Sequence, residues 1–412
     1  MQRVSIQFAV LIAAVMTLSV VSSRLWGGKP EGLSKTESLV VRKDMTVAQY
    51  GQRNDLPPIL LKKVFGLQSP ADRQRLVSDF GMSTDEIAKK TQGLLALRAE
   101  HGSKNWIKIF VKFGLWVAFL SFLFVLMLRR RISARNRTWL LLAAVLVFGV
   151  VLGSDPSPMG TVKDAVVLLG ARGVLFPPRL IAFGVFLLLV VVANKFICSW
   201  GCQLGTLQDA IFRLNRDKED RKGVFGQFKV PFVVSNSVRV AFFLAIVVFA
   251  FGWGTDIVEG IDPFKVFKPQ MLGAIGIAFV GTVLVLSLFT WRPWCHFFCP
   301  FGLAGWVAEK ISLFKIQVDY DKCIACEACE KACPSTVMGA ILKRDRILPD
   351  CFACGTCIET CPTKAISLKA GRRVRPPAGK FTESSRSGTR KPNEETGQDR
   401  DMSGSTAPVK EG

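Results

Sequence analysis

Six stretches of this 412-residue chain are apolar enough to cross a bilayer, over residues 5–21, 107–128, 139–153, 180–197, 238–254 and 271–290. Hydrocarbon offers no water to an unpaired backbone group, so such stretches must fold as helices that satisfy their own N–H and C=O groups. Arg and Lys mark their ends, because one such residue at mid-bilayer costs roughly 2.5–3.5 kcal/mol. The formal net charge is +22 and the mean hydropathy is +0.32. A soluble chain that basic is usually polar and points to nucleic acid. Here the basic residues sit in the loops between apolar blocks, and no basic stripe with interleaved aromatics exists, so no nucleic-acid partner is expected.

Orientation follows from the loop holding Arg129, Arg130, Arg131, Arg135 and Arg137. Placed inside, it leaves 154–179 and 255–270 outside. The loop with Arg213, Arg216, Lys218, Arg221 and Lys222 then falls inside, as does everything after Thr290. Residues 1–23 read as an uncleaved N-terminal anchor, with a cleaved signal peptide ending near Val21-Ser22-Ser23 as the alternative. Residues 24–104 form a polar, helical extracytoplasmic domain. It holds a weak repeat of helix, short turn and helix, the turns being Asp55-Leu56-Pro57-Pro58 and Gly81-Met82-Ser83-Thr84. Ser83 or Thr84, followed by Asp85 and Glu86, predicts an N-cap there. Residues 105–314 are the membrane domain, and 370–412 are Gly-, Pro-, Ser- and charge-rich and are expected to be disordered.

All 12 cysteines lie at or after Cys198, in tight groups that read as metal ligands rather than as a disulfide framework. The tandem Cys323-Ile-Ala-Cys326-Glu-Ala-Cys329-Glu-Lys-Ala-Cys333-Pro334 and Cys351-Phe-Ala-Cys354-Gly-Thr-Cys357-Ile-Glu-Thr-Cys361-Pro362 both match the bacterial two-cluster ferredoxin pattern. Thiolates at every third residue wrap one cubane, and small residues between them let backbone N–H groups reach the sulfurs. The fourth cysteine, expected to start a helix with its proline in the first turn, crosses to the other cluster. Two [4Fe–4S] clusters follow: one on Cys323, Cys326, Cys329 and Cys361, the other on Cys351, Cys354, Cys357 and Cys333. Alternating runs at 315–318 and 365–368 frame a ferredoxin domain over 315–369. The predicted fold is an α-helical polytopic membrane protein of about six transmembrane helices with a C-terminal α+β two-cluster bacterial ferredoxin-like domain. His101 and His296 are the only histidines, which excludes a bis-histidine haem in the membrane, and no C-x-x-C-H haem attachment site is present.

The remaining cysteines form two C-x₃-C pairs at the membrane edge, Cys198-Ser-Trp-Gly-Cys202 and Cys295-His-Phe-Phe-Cys299, 97 residues apart. Each ends a two-helix hairpin and continues as C-x₂-G (Gly205 and Gly302), which implies a duplicated unit. On helical backbone, i and i+4 share a face, so Cys198, Cys202, Cys295 and Cys299 can present four thiolates together. The readings are a further metal or iron–sulfur site, a redox-active dithiol, or plain packing of two helix ends. His296 reads as a packing or solvent-facing residue, and Trp200, Trp291 and Trp294 as interfacial anchors.

Tandem ferredoxin motifs after paired C-x₃-C motifs resemble the NapH/NosR-type membrane polyferredoxins, over about residues 107–370. The outer segment Gly153-Ser154-Asp155-Pro156-Ser157-Pro158-Met159-Gly160 and the run from Trp294 to Gly302 are similar to that family too. The resemblance implies a membrane-bound electron-transfer subunit of a quinol dehydrogenase or oxidoreductase system. It would sit in a bacterial cytoplasmic membrane and relay electrons between the quinone pool and a partner redox protein. The first pair departs from the family, reading Cys202-Gln203 in place of Cys-Pro. The S-G-A-T flavin-attachment signature is missing from the N-terminal domain, so no covalent FMN is expected. Asp155, Asp164, Asp256 and Asp262 are loop acids within reach of quinol protons, or simply solvated. The competing functions are a metal-handling maturation factor, like membrane ferredoxins tied to copper reduction, and a redox-sensing regulatory membrane protein.

Overall fold

The computed structural model describes residues 2–26, 39–216, 223–343, 345–377 and 380–381. Lys218, Arg221 and Lys222 of the second basic loop, and the tail expected to be disordered beyond 381, lie outside the described residues.

Four described helices are long and apolar enough to cross a membrane: α1 (Gln2–Trp26), α5 (Trp106–Leu128), α6 with its continuation (Ala134–Val151) and α11 (Phe232–Trp253). Two shorter apolar helices, α8 (Pro177–Ala193) and α12 (Ala274–Leu286), complete the six stretches read from hydropathy. Proline opens α8, where a missing N–H leaves no helical bond unmade. The last part of the third span, Val145–Val151, is a π-helix. It packs on α1, whose Ser22 hydroxyl donates to Val151 O at 2.9 Å.

Residues 39–104 pack as short helices around their own core of Val47, Tyr50, Leu60, Leu61, Val64, Phe65 and Ile87. The first repeat copy is α2 (Val47–Arg53), a turn, and α3 (Pro58–Phe65). In the second copy the leading element shrinks to a 3₁₀ turn, Val77–Phe80, closed by Gly81 at φ +66°. α4 (Thr84–Ser103) then begins at Ser83, whose hydroxyl accepts from Glu86 N at 3.2 Å while Glu86 Oε2 accepts from Ser83 N at 2.9 Å. That reciprocal pair satisfies two helix-end donors.

The segment expected as a free outer loop after the third span folds back into the bundle. Lys112 of α5 and Gln203 are fully buried and need acceptors. They find them on the non-helical carbonyls of 153–156. Lys112 Nζ donates to Gly153 O at 2.7 Å, and Gln203 Nε2 donates to Ser154 O at 2.9 Å. α7 (Pro158–Arg172) then climbs along α11. Gly170 permits that approach, because a Cβ there would lie 2.6 Å from the Ala250 carbonyl carbon.

The cysteine-rich end begins with α9 (Phe196–Trp200) and α10 (Gln203–Leu214), and later α13 (Pro293–Phe297) and α14 (Pro300–Glu309) repeat that pattern. Next come β1 (Phe314–Val318), α15 (Ala328–Ala332), α16 (Val337–Lys343), α17 (Thr356–Thr360) and β2 (Ile366–Ala370). β1 and β2 pair antiparallel, with Ile316 opposite Leu368. This ribbon matches the framing runs read from the sequence.

Candidate iron–sulfur centres and the path between them

In the ferredoxin domain, both motif loops turn the same way. The third and fifth residues of each motif take left-handed backbone: Ala325 (φ 56°) and Glu327 (φ 54°) in the first, Ala353 (φ 49°) and Gly355 (φ 81°) in the second. Left-handed residues at every second position turn each loop sharply, and turns of this kind are suited to presenting backbone N–H groups to an anionic group. The third cysteine of each motif, Cys329 or Cys357, then sits in a short helix. The fourth cysteine ends that helix instead of starting one. Its following proline has no N–H to extend the ladder, so Cys333 and Cys361 are C-caps.

Two cavities result. Cys323, Cys326, Cys329 and Cys361 line one, and Cys333, Cys351, Cys354 and Cys357 line the other. Each cavity therefore takes three thiols from one motif and the fourth from the other. α15 packs on α17, which brings Cys329 and Cys357 near each other across the two cavities. Burial pushes the Cys329 thiol up to about 12, with Cys323, Cys361 and Cys326 adding to the shift, and burial pushes Cys351 up to about 12 as well. Buried thiols so reluctant to ionise fit a cationic group that deprotonates them on binding. Among the described residues, no three Cys, His, Asp or Glu side chains close to the spacing of a single ion's shell. A cubane holds its ligands at separate corners and needs a wider cage than zinc, which draws thiolates to ~2.3 Å of one centre.

The two C-x₃-C pairs converge. Cys198, Cys202, Cys295 and Cys299 are all buried in one core cluster, close enough that each thiol perturbs its neighbours. Their backbone settings repeat. A Cβ on Gly205 would meet Cys198 O at 2.7 Å and Arg292 Nη1 at 3.1 Å; one on Gly302 would meet Cys295 O at 2.9 Å and Arg239 Nη1 at 3.1 Å. Those arginines tie the pairs down, Arg292 donating to Cys198 O at 2.5 Å and to Ser199 O at 2.9 Å, and Arg239 to Cys295 O at 3.4 Å. Beside the thiols, Gln208 Oε1 accepts from Cys295 Sγ at 3.7 Å, while Gln208 Nε2 and Ser199 Oγ are buried without a partner. Orphaned donors next to four thiols fit a group with sulfide acceptors.

Trp200, Trp291 and Trp294 are not interfacial anchors. Each is 2 % exposed or less, because each indole N–H has an acceptor inside the protein. Trp200 donates to Ala353 O at 3.3 Å, Trp291 to Asp209 Oδ1 at 2.8 Å and Trp294 to Met159 Sδ at 3.3 Å. These bonds join the thiol quartet to the Cys351 loop on one side and to residues 153–160 on the other. Phe352, between Cys351 and Ala353, rings against Trp291 at 5.0 Å and His296 at 5.5 Å. His296 is therefore a packing residue.

The domain is fixed on the bundle by charge. Asp350 pairs with Arg239 at 2.9 Å and with Lys195, all three fully buried. Burial alone would raise the Asp350 carboxyl; Lys195 and Arg239 hold it below the usual carboxylate range. Glu309, whose carboxylate accepts from Cys351 N at 3.1 Å, is pushed by burial up to about 7. Arg137, counted in the sequence as a loop charge, is buried against Glu359 at 3.0 Å.

The loop acids are paired too. Lys104 holds Asp155 at 2.5 Å, Lys163 holds Asp256 at 2.7 Å, and Arg179 pairs with Asp164. Asp262 lies 4.0 Å from Lys163. Gln203 stood out in the sequence only as a departure from the family's proline, and sequence reasoning missed Gln208, Arg239 and Arg292 altogether, because a single polar residue carries no local motif.

Comparison with known proteins gives the same chemistry. The 4Fe-4S dicluster domain family matches residues 315–362, and the 4Fe-4S binding domain family matches twice, over 175–222 and 272–318, each match containing one C-x₃-C pair. YccM of Escherichia coli is 30% identical over 209 residues, covering 48% of this chain and 54% of YccM. The ferredoxin-type protein NapH of Haemophilus influenzae is 27% identical over 175 residues, 42% of this chain and 54% of NapH. The regulatory protein NosR of Pseudomonas aeruginosa is 26% identical over 156 residues, 35% of this chain and 21% of NosR. The chain thus spans about half the length of YccM and NapH. No solved structure matches it. With its apolar helices, its tandem ferredoxin motifs and these relatives, the chain is similar to the iron–sulfur membrane polyferredoxins of the NapH/NosR type.

Proposed function

We propose that the chain relays electrons between the quinone pool of a bacterial cytoplasmic membrane and a partner redox protein, as the electron-transfer subunit of a quinol-linked oxidoreductase system. Cys323, Cys326, Cys329 and Cys361 hold one [4Fe–4S] cluster, and Cys351, Cys354, Cys357 and Cys333 hold a second. Cys198, Cys202, Cys295 and Cys299 hold a third redox centre within the bundle. Such centres supply one-electron transfer when bound. The residues between them exclude water and fix distance: Trp200, Trp291 and Phe352 fill the space from the quartet to the Cys351 loop.

The observation that carries this reading is the quartet itself, four buried thiols bonded through neighbours to both the Cys351 loop and the 153–160 segment. Their burial favours a fixed relay over a site that exchanges copper with solvent. The ferredoxin domain and the C-terminal tail lie in the cytoplasm, and residues 24–104 lie outside, where they offer a docking face.

The test is to purify the protein anaerobically in lipid, reduce it, remove excess reductant and add a menaquinone analogue. Fast reoxidation of the visible iron–sulfur band, lost in a Cys323→Ser, Cys351→Ser double variant, is expected. Clusters that stay reduced with quinone but discharge to Cu²⁺ overturn the proposal.

A further inference from the structure

The thiol quartet needs a donor or acceptor within reach, and the segment 153–160 that touches it also forms the floor of a cleft. Trp106, Ile109 and Phe113 of α5 make one wall, and Phe176 with Pro178 and Ala182 of α8 makes the other. Asp155, Pro156, Ser157, Gly160 and Thr161 make the floor. The cavity is small, about 60 Å³, and opens to about 450 Å³ when the mouth is counted, so it takes the edge of a flat ring and leaves the rest of a ligand at the mouth.

The chemistry of the lining is divided. The walls are aromatic and aliphatic: Trp106 faces Phe176 at 6.5 Å, and Phe113 stacks on Phe186 at 5.7 Å below the cleft. The floor and far end are polar, with Lys104 bonded to Asp155 and Arg179 bonded to Asp164 and Glu100. Around the cleft the two helices show outward-facing apolar side chains. Ile107, Phe110 and Ile181 are each at least two-thirds exposed, Ile181 at 67%. On spanning helices such faces meet lipid, so the walls adjoin the bilayer.

Behind the Arg179–Asp164 pair lies a second, larger basin that shares those two residues. Its lining mixes charged side chains, among them Lys163, Asp256, Asp262 and Lys268, with apolar ones such as Leu168 and Phe264. An apolar slot beside lipid, backed by charged pairs, suits an amphipathic ring with two oxygens and a hydrocarbon tail. The ring's carbonyls need donors and its hydroxyls need acceptors; Lys104 and Asp155 stand at the floor with both.

The floor is also the side nearest the redox centre. Gln203, which follows Cys202, donates to Ser154 O at 2.9 Å and to Pro156 O at 3.4 Å. Trp294, which precedes Cys295, donates to Met159 Sδ at 3.3 Å. One hydrogen-bonded residue thus separates the cleft floor from each C-x₃-C pair.

We infer that the cleft between α5 and α8 binds the headgroup of an isoprenoid quinone, ring edge on Asp155 and Lys104, tail leaving between the helices into the bilayer. This rests on the quinone-coupled reading above and names its site. Gln203 gains a role from it: standing where the resembling family has proline, it holds the floor to the first cysteine pair.

The test is photolabelling of the intact holoprotein in lipid nanodiscs with an azido-naphthoquinone, competed by a menaquinone analogue and mapped by mass spectrometry. Label is expected in the peptides carrying 104–113 and 176–182. Ala182→Trp fills the slot from its wall and Ile109→Trp from its mouth. Each should raise the half-saturating label concentration by about tenfold or more, while Ile181→Trp, on the outward face of α8, leaves it unchanged. Should Ala182→Trp fail to fold, Ile109→Trp carries the comparison. Cluster reoxidation by the quinone is read in parallel. Saturable label elsewhere, with quinone-driven reoxidation intact, overturns the cleft and leaves the function standing. No saturable label and no quinone-driven reoxidation, in protein whose clusters dithionite still reduces, overturns both.

Discussion

At the scale of single residues, buried charge does most of the joining. Asp350 is paired with Lys195 and Arg239, and all three side chains are fully buried. Removing one partner of such a set strands the others, at a cost of about 3–5 kcal/mol. Arg239→Met is predicted to lower the thermal midpoint of the holoprotein and to speed release of the ferredoxin domain by limited proteolysis. An unchanged midpoint and digestion pattern would mean the domain is held by its apolar contacts alone. A second residue-scale prediction concerns Gly355. At φ +81° it holds a left-handed backbone that a β-branched residue adopts only under strain. Gly355→Val should lose the iron held on the Cys351 side and keep the other cluster, as read by iron analysis and by electron paramagnetic resonance. Glycine was readable there from the motif's small residues. The left-handed turn at Glu327 was not, because nothing in a Glu side chain announces it; the identical turn at Gly355 explains it only once both loops are compared.

At the scale of elements, the cysteine motifs and apolar runs were legible because their information is local: spacing on one loop, hydropathy along one helix. The β1–β2 ribbon and the Ser83 cap were readable for the same reason. What sequence missed depends on neighbours distant in the chain. The 153–160 segment has the Pro, Gly and Asp of a surface loop, yet Lys112 and Gln203, 41 and 50 residues from Gly153, draw its carbonyls inward. The three tryptophans look like interfacial belts until their acceptors are known. α7 packs on α11 at Gly170 closely enough that a methyl group must displace backbone. Gly170→Ala is therefore predicted to destabilise the bundle by about 1–3 kcal/mol, seen as a lower unfolding midpoint in detergent. Gly184, whose added Cβ meets nothing within 4 Å, should tolerate the same change.

At the scale of the whole molecule, the duplication has a consequence that neither copy shows alone. The first C-x₃-C pair is anchored by an arginine that the second half of the membrane domain supplies, Arg292 on Cys198 O, while the second pair is held within its own half, Arg239 on Cys295 O. Folding the two halves together is what brings the four thiols to one place. That place is in the middle of a continuous run from the α5–α8 cleft, through Gln203 and Trp294, to the Cys351 loop and the second cavity. The copies differ at Gln203 and Pro300, and the difference falls on the side facing the cleft.

The most direct test of this account is iron and acid-labile sulfide analysis, with electron paramagnetic resonance, on wild type and a Cys295→Ser, Cys299→Ser variant purified anaerobically. The account predicts loss of about one third of the iron, ferredoxin signals retained, and quinone-driven reoxidation slowed to the rate of the ferredoxin-cysteine control. Unchanged iron together with unchanged reoxidation would contradict it, leaving the four membrane thiols as packing residues.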